Sequence, residues 1–291
     1  MTDTLQLKAY AKINLGLDVV RRREDGYHEV RMIMQSVKLF DKLTFRLLEE
    51  DTIRLKTNLG FLPVDENNLV YQAVKVLKER YHVRQGLEID LFKCIPVAAG
   101  MAGGSTDCAA ALVGASKLFG LQLGKEQLME LGVQLGADVP YCIMRGTALS
   151  EGIGEILTPL PSIPECKILI AKPPIAVSTK FVYEHLDAQG IEKHPDIDGM
   201  IEAIRAGSLR GITDRLENVL ETVTIPAYPV IDEIKQMMIK GGALNALMSG
   251  SGPTVFGIFE DEERAEEVKQ VIQDEQLAKQ VYVVDAFHQN I

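Results

Sequence analysis

Apolar and polar residues alternate from Leu5 to Val19. Leu5, Leu7, Ala9, Ala11, Ile13, Leu15, Leu17 and Val19 fall on one face, and Gln6, Lys8, Tyr10, Lys12, Asn14, Gly16 and Asp18 on the other. A period of two predicts a strand with one face on a core. Lys12 and Asn14 then stand side by side on the opposite face, roughly 7 Å apart along the strand, where spacing alone favours solvent. Glu24-Asp25-Gly26 reads as a turn, and Tyr27 and His28 open a second strand pattern through Val30, Met32 and Met34. Leu43, Phe45 and Leu47, then Ile53 and Leu55, read as two further short strands. Asn67 or Asn68 caps a predicted helix with Leu69, Val70, Ala73, Val74 and Leu77 at helical spacing.

A strand pattern through Leu87, Ile89 and Leu91 runs into P-V-A-A-G-M-A-G-G-S-T-D, Pro96 to Asp107, and an alanine-rich helix is predicted from about Asp107 to Leu118. Gly100, Gly103 and Gly104 permit positive φ and close backbone approach. Ser105, Thr106 or Asp107 would cap the helix. Such a helix start presents unpaired N–H groups and partial positive charge, the arrangement that holds phosphate. A lone G-x-x-G-G-S string is more often an ordinary helix-capping turn. It lacks the Gly-Lys-Ser/Thr of a Walker A loop and the G-x-G-x-x-G of a dinucleotide fold, so the chemistry stays open here.

Further along, K-E-Q-L-M-E-L-G-V-Q-L-G reads as a helix ending near Gly136, and G-A-D-V-P-Y-C-I as a turn entering a short strand. Asp138 at that entry is either turn chemistry or a rigidly held carboxylate. A Gly- and Pro-rich passage follows, and the domain boundary is placed near 160, giving domains 1–160 and 161–291. Beyond it come a strand, C-K-I-L-I-A-K, and a helix capped by Ser178-Thr179 through Phe181 and Tyr183. Helices are predicted over 197–205, 208–221 and Pro229–Lys240, then strand, glycine turn and strand through S-G-S-G-P-T, a helix from Asp261 to about Asp274, and a last strand Val281 to Phe287. The pattern is that of an α+β sandwich.

Of the 291 residues, 46% are hydrophobic and 25% charged, as in ordinary globular proteins. The net charge of −10 with no basic run argues against a nucleic-acid surface. No apolar run approaches the ~20 residues of a membrane span, and M-T-D-T-L-Q-L does not read as a leader. A cytoplasmic protein, a monomer or weak homodimer without membrane or nucleic-acid partners, is expected. Cys94, Cys108, Cys142 and Cys166 are widely spaced and read as buried apolar residues in a reducing compartment. The five histidines lack ligand spacing, so no metal site is predicted.

Taken together, A-K-I-N-L at 11–15, P-V-A-A-G-M-A-G-G-S-T at 96–106 and S-G-S-G-P-T at 249–254 resemble, in order and spacing, the GHMP kinases, the superfamily of galactokinase, homoserine, mevalonate and phosphomevalonate kinases. The likeness spans essentially the whole chain. D-G-Y-H-E at 25–29, G-A-D-V-P-Y-C at 136–142 and E-G-I-G-E at 151–155 are similar to the branch that acts on 4-diphosphocytidyl-2-C-methyl-D-erythritol. Tyr10, Ala99, Met101, Thr106 and Cys108 depart from that branch's usual residues but are compatible in size with a backbone-binding loop.

The resemblance implies an α+β, two-domain fold: an N-terminal ribosomal-protein-S5-like domain, a C-terminal ferredoxin-like α/β sandwich, and an active site in the cleft between them. It implies transfer of the γ-phosphoryl group of ATP, with Mg2+ carried by the nucleotide, to a small-molecule alcohol bearing cytidine diphosphate in the non-mevalonate isoprenoid route. The ATP loop would be Pro96, Val97, Ala98, Ala99, Gly100, Met101, Ala102, Gly103, Gly104, Ser105 and Thr106. Lys12 and Asp138 would be catalytic. Asn14, Tyr27, His28, Thr179 and Tyr183 would bind the substrate, and Ser249, Gly250, Ser251, Gly252 and Thr254 would form a supporting glycine motif. The alternatives are another alcohol kinase of the homoserine or mevalonate type, which lacks the Tyr27-His28 pair, and a catalytically silent nucleotide-binding paralogue.

Overall fold

A computed structural model describes residues 4–188 and 190–288. Residues 1–3, the start of the stretch read as carrying no leader, lie outside it. The chain packs as two compact units that interleave in sequence. One holds the chain up to Ala11 with Leu39–Val97 and Ala102–Met144, and the other holds Lys12–Lys38, Ala98–Met101 and everything from Arg145 on. Two long strands, β1 (Thr4–Arg22) and β2 (His28–Leu48), run through both.

In the first unit, β3 (Ile53–Thr57) precedes α1 (Leu69–Arg80) and β4 (Gly86–Phe92). β4 pairs antiparallel with β2, Phe45 opposite Ile89, and parallel with β3, Leu55 opposite Ile89. Asn68 caps α1 by accepting from Val70 N at 2.9 Å. α2 (Gly103–Leu118) packs on α1, followed by α3 (Lys125–Val133) and α4 (Val139–Met144). The core lies between sheet and helices around Phe45, whose ring sits where a Cβ on Gly114 would be, 2.7 Å away.

In the second unit, β5 (Thr147–Gly152) pairs antiparallel with β2, Ile33 opposite Leu149, and with β6 (Ile156–Leu160). Next come β7 (Lys167–Lys172), α5 (Thr179–His185), α6 (Ile197–Arg205), α7 (Leu209–Thr213) and β8 (Glu217–Asn218), which lies parallel to β1. α8 (Glu221–Ala227), α9 (Val230–Lys240), β9 (Asn245–Met248), β10 (Val255–Phe259), α10 (Glu262–Asp274) and β11 (Gln280–Asp285) complete it. An antiparallel sheet of order β11-β7-β10-β9 is covered by α9 and α10.

Four local expectations are corrected. The stretch around Leu43 and Phe45 is not a separate strand but continues β2, because nothing between Val30 and Leu48 favours a turn. Asp41 within it is buried and accepts the backbone N–H groups of Cys94 and Ile95. The segment after Asp138 is a helix rather than a strand: Pro140 sits in its first turn, where a missing N–H costs nothing. α2 begins at Gly103, so Ser105, Thr106 and Asp107 lie inside it and none caps it. The Gly-rich passage after Arg145 forms the β5–β6 hairpin. The helix expected over 208–221 stops at Thr213, because Asn218 pairs its side chain with backbone on the far side of β8.

Candidate active site

Lys12 and Asn14 are 5% and 0% exposed, which overturns the solvated face that their spacing favours. Both faces of β1 are covered from Ala11 to Val19, and α6 closes the second: a Cβ on Gly16 would meet Ile197 Cδ1 at 2.8 Å. Lys12 Nζ donates to Asn14 Oδ1 at 2.7 Å, and Asn14 Nδ2 donates to Met32 Sδ at 3.2 Å. The ammonium therefore has a fixed direction. The backbone N–H of Lys12 donates to the Met101 carbonyl at 3.2 Å. The glycine loop is thus docked on the strand that carries Lys12.

The glycine turn of S-G-S-G-P-T meets the same loop. Ser249 Oγ donates to the Gly100 carbonyl at 3.0 Å, and a Cβ on Gly250 would lie 3.6 Å from Asn14 Oδ1. The turn closes on itself through Gly252 N to Ser249 O at 3.0 Å and Ser249 N to Thr254 O at 2.9 Å. Thr254 is fully buried, with no partner for Oγ1 among the described residues. Three stretches far apart in sequence come together here, and they do so around backbone atoms.

The loop carries its left-handed residues in unexpected places. Gly100 has φ +73°, but Ala98 (φ +50°) and Ala102 (φ +54°) share that region, at about 1–2 kcal/mol each. Gly103 and Gly104, expected at positive φ, are helical. Space at Gly103 is tight: a Cβ there would lie 3.2 Å from Ile95 Cγ2 and 3.3 Å from Lys93 Nζ. Gly104 is exposed and leaves the helix start open.

Thr106 N donates to Ala102 O at 2.9 Å, so the N–H groups of Gly103, Gly104 and Ser105 precede the first helical acceptor and have no carbonyl within the helix. Ser105 is half-buried, whereas Thr106 is only 2% exposed. A Cβ on Gly136 would lie 3.9 Å from Ser105 Oγ. The turn carrying Asp138 thus passes the start of α2, and Asp138 is half-buried there.

Beneath that helix start lies a buried cluster. Lys93 Nζ donates to Asp107 Oδ2 at 2.6 Å and to Asp41 Oδ2. Burial opposes the charge on Lys93, but the Asp107 and Asp41 carboxylates override it and hold its pKa above the ordinary value. Burial drives Asp107 well above the carboxylate range despite Lys93. Asp107 Oδ1 has no partner among the described residues.

α5 carries the remaining candidates. Thr179 Oγ1 and Ser251 Oγ are 2.8 Å apart, which ties the helix to the glycine turn. One turn later the Tyr183 ring lies 5.1 Å from the His28 ring at 35°. Partial burial, then the Arg22 guanidinium, keeps the His28 pKa below its usual value, so the ring is neutral at neutral pH. Tyr27, at the end of the Asp25-Gly26 turn, is 61% exposed, with its N–H on Asp25 Oδ1 at 3.1 Å. An exposed aromatic beside a neutral imidazole offers stacking and hydrogen bonding to a planar base.

Residues 68–146 match the GHMP kinases N terminal domain and residues 192–278 the GHMP kinases C terminal. A 4-diphosphocytidyl-2-C-methyl-D-erythritol kinase of Lachnospira eligens is 59% identical over 285 residues, 98% of this chain and 99% of that protein. The chain belongs to the GHMP kinases.

A crystal structure of 4-(cytidine 5'-diphospho)-2C-methyl-D-erythritol kinase superposes on this GHMP kinase with TM-score 0.84 at 28% identity, covering 98% of this chain and 100% of that one. A homoserine kinase from Cytophaga hutchinsonii shares the fold at TM-score 0.81 and 21% identity, over 99% and 96% of the two chains. The α+β two-domain class expected from the sequence is the class found. Among the described residues no helix is long and apolar enough to cross a membrane. Sequence reasoning missed Asn218 and Glu221, which hold the glycine turn, and the Lys93 cluster. A solitary Asn, Glu or Lys carries no pattern until tertiary packing gives it partners.

Proposed function

We propose that this GHMP kinase transfers the γ-phosphoryl group of ATP to the 2-hydroxyl of 4-diphosphocytidyl-2-C-methyl-D-erythritol, giving the 2-phosphate and ADP. The observation that carries the reading is the docking of the glycine loop, through the Met101 and Gly100 carbonyls, onto the strand bearing Lys12 and the turn bearing Ser249. The near full-length similarity to kinases named for that substrate selects the alcohol.

Phosphoryl transfer is mainly positioning and stabilisation of spread negative charge. The loop from Pro96 to Thr106 wraps the triphosphate with backbone N–H groups, those of Gly103, Gly104 and Ser105 among them, and the positive end of α2 adds to them. Lys12, aimed by Asn14, counters charge at the transferring group. Asp138 orients the hydroxyl and accepts its hydrogen as the new O–P bond forms and the bond to the ADP oxygen breaks. Tyr27 stacks on the cytosine, His28 hydrogen-bonds it, and Thr179 and Tyr183 wall that end of the substrate. Magnesium carried by the nucleotide would neutralise phosphate charge. Among the described residues no group of three His, Cys, Asp or Glu could hold an ion by itself. The half-buried Ser105 hydroxyl would reach a phosphate oxygen or a magnesium-bound water.

The test is turnover from ATP with the cytidyl substrate, homoserine and mevalonate side by side, with and without magnesium. Turnover confined to the cytidyl substrate is expected. Turnover with another alcohol would keep the phosphate loop and overturn the Tyr27-His28 assignment.

A further inference from the structure

A buried side chain outside the glycine turn holds two of its backbone carbonyls. Asn218 lies in β8 and is 3% exposed. Its Nδ2 donates to the carbonyls of Met248 and Gly250, both at 2.8 Å. Its Oδ1 accepts from Leu220 N at 3.0 Å. Both amide hydrogens and an oxygen lone pair are therefore used. Through its backbone, Asn218 stands opposite Leu17 in the parallel β8–β1 pairing, and Val219 N donates to Leu17 O at 3.0 Å. Glu221 holds the other side of Met248: its Oε1 accepts from Met248 N at 2.8 Å, and its Oε2 accepts from the half-buried Lys235 at 2.6 Å. Met248 is thus fixed at both N–H and C=O just before the turn begins.

We infer that Asn218 is a positioning residue for phosphoryl transfer, resting on the kinase reading above. It sets the register between the strand carrying Lys12 and Asn14 and the turn that seats Gly100. Only an amide satisfies all three backbone groups. A carboxylate would set an oxygen against two carbonyl oxygens, and an apolar side chain would leave three buried polar groups unpaired. The turn would then shift, and Ser249 with it, so the Gly100 carbonyl would lose its donor and the phosphate loop its seat.

The test uses Asn218→Ser and Asn218→Asp in the full chain. ADP affinity is measured by calorimetry and both Michaelis constants by steady-state turnover. Each variant should weaken ADP and raise the KM for ATP at least roughly ten-fold, the scale of a displaced phosphate seat, with the alcohol KM changed less than about three-fold. Combined with Ser249→Ala, the losses should fall short of the sum of the singles, because both act through one turn. Unchanged ADP affinity and turnover at 25 °C with only a lower Tm, or fully additive losses, would overturn the inference. If neither variant folds, hydrogen exchange on the wild-type chain decides. ADP should slow exchange in 96–106 together with 216–220 and 248–252, and protection confined to 96–106 would refute the coupling. Failure of the wild type to turn over the cytidyl substrate would count against the substrate reading alone, since ADP affinity and exchange need no alcohol.

Discussion

Gly100 and Gly120 make a matched pair, because their φ angles are nearly alike and their surroundings differ. Their φ angles are +73° and +68°. An alanine at either pays the left-handed penalty of about 1–2 kcal/mol. At Gly120 the new Cβ meets nothing within 4 Å. At Gly100 it would lie 2.2 Å from the Ser249 carbonyl oxygen and 3.1 Å from that of Gly252. Both neighbours are backbone and cannot rotate away, so reaching an ordinary contact requires loop or turn to move about 1 Å, a misplacement that costs on the order of 10²-fold in rate. Both variants should melt a few degrees lower, at about 2–4 °C per kcal/mol for a chain of this size. Only Gly100→Ala should lose kcat/KM for ATP by roughly a hundredfold. The assay is steady-state turnover at 25 °C beside a thermal melt of each variant. A Gly100→Ala enzyme within about threefold of wild type, or equal losses in the two variants, would refute the claim that loop and turn form one seat.

Lys12→Met and Asp138→Asn should each lower turnover at least ~10²-fold with secondary structure intact by circular dichroism, and near-normal turnover would remove that residue from the mechanism. Tyr27→Ala should leave stability within about 0.5 kcal/mol at so exposed a site, while loss of base stacking worth about 1–3 kcal/mol raises the KM for the cytidyl substrate at least fivefold in the same turnover assay. Asp107 holds its proton to higher pH in the folded chain than in the unfolded one. The native state therefore binds more protons, and this group's contribution, full below the ordinary carboxylate pKa, is lost as pH rises through the raised value. In urea unfolding, wild-type stability should fall relative to Asp107→Asn from pH 4 towards neutrality, and a difference that is flat or rises with pH would contradict the assignment.

The parts of the fold that could be read from the sequence were those set by local pattern. The period-two run of β1, the Asn68 cap and the Ser178 and Asp261 caps each follow from neighbours in sequence. The glycine loop and the helix after it were recognisable because they are contiguous in sequence. Burial of Lys12 and Asn14 was not, since the residues shown against them, Met32, Met101 and Gly250, come from other parts of the chain. Asp107 looked like a helix cap because its type favours one, yet it turns inward to Lys93. Positive φ went to Ala98 and Ala102 rather than to Gly103 and Gly104: the docked positions of Met101 and Gly100 dictate the path of the loop, and tertiary contact overrides the preference of single residues. Asn218 gave no signal at all, because its partners at Met248 and Gly250 lie some thirty residues on.

The central claim is the identity of the reaction, and the product tests it most directly. The chain is incubated with ATP, magnesium and 4-diphosphocytidyl-2-C-methyl-D-erythritol, and the product is resolved by phosphorus-31 and two-dimensional proton NMR. The account predicts one new phosphomonoester on the 2-oxygen, formed in step with ADP. ADP formed without a phosphorylated alcohol, or a phosphate on another hydroxyl, would contradict it.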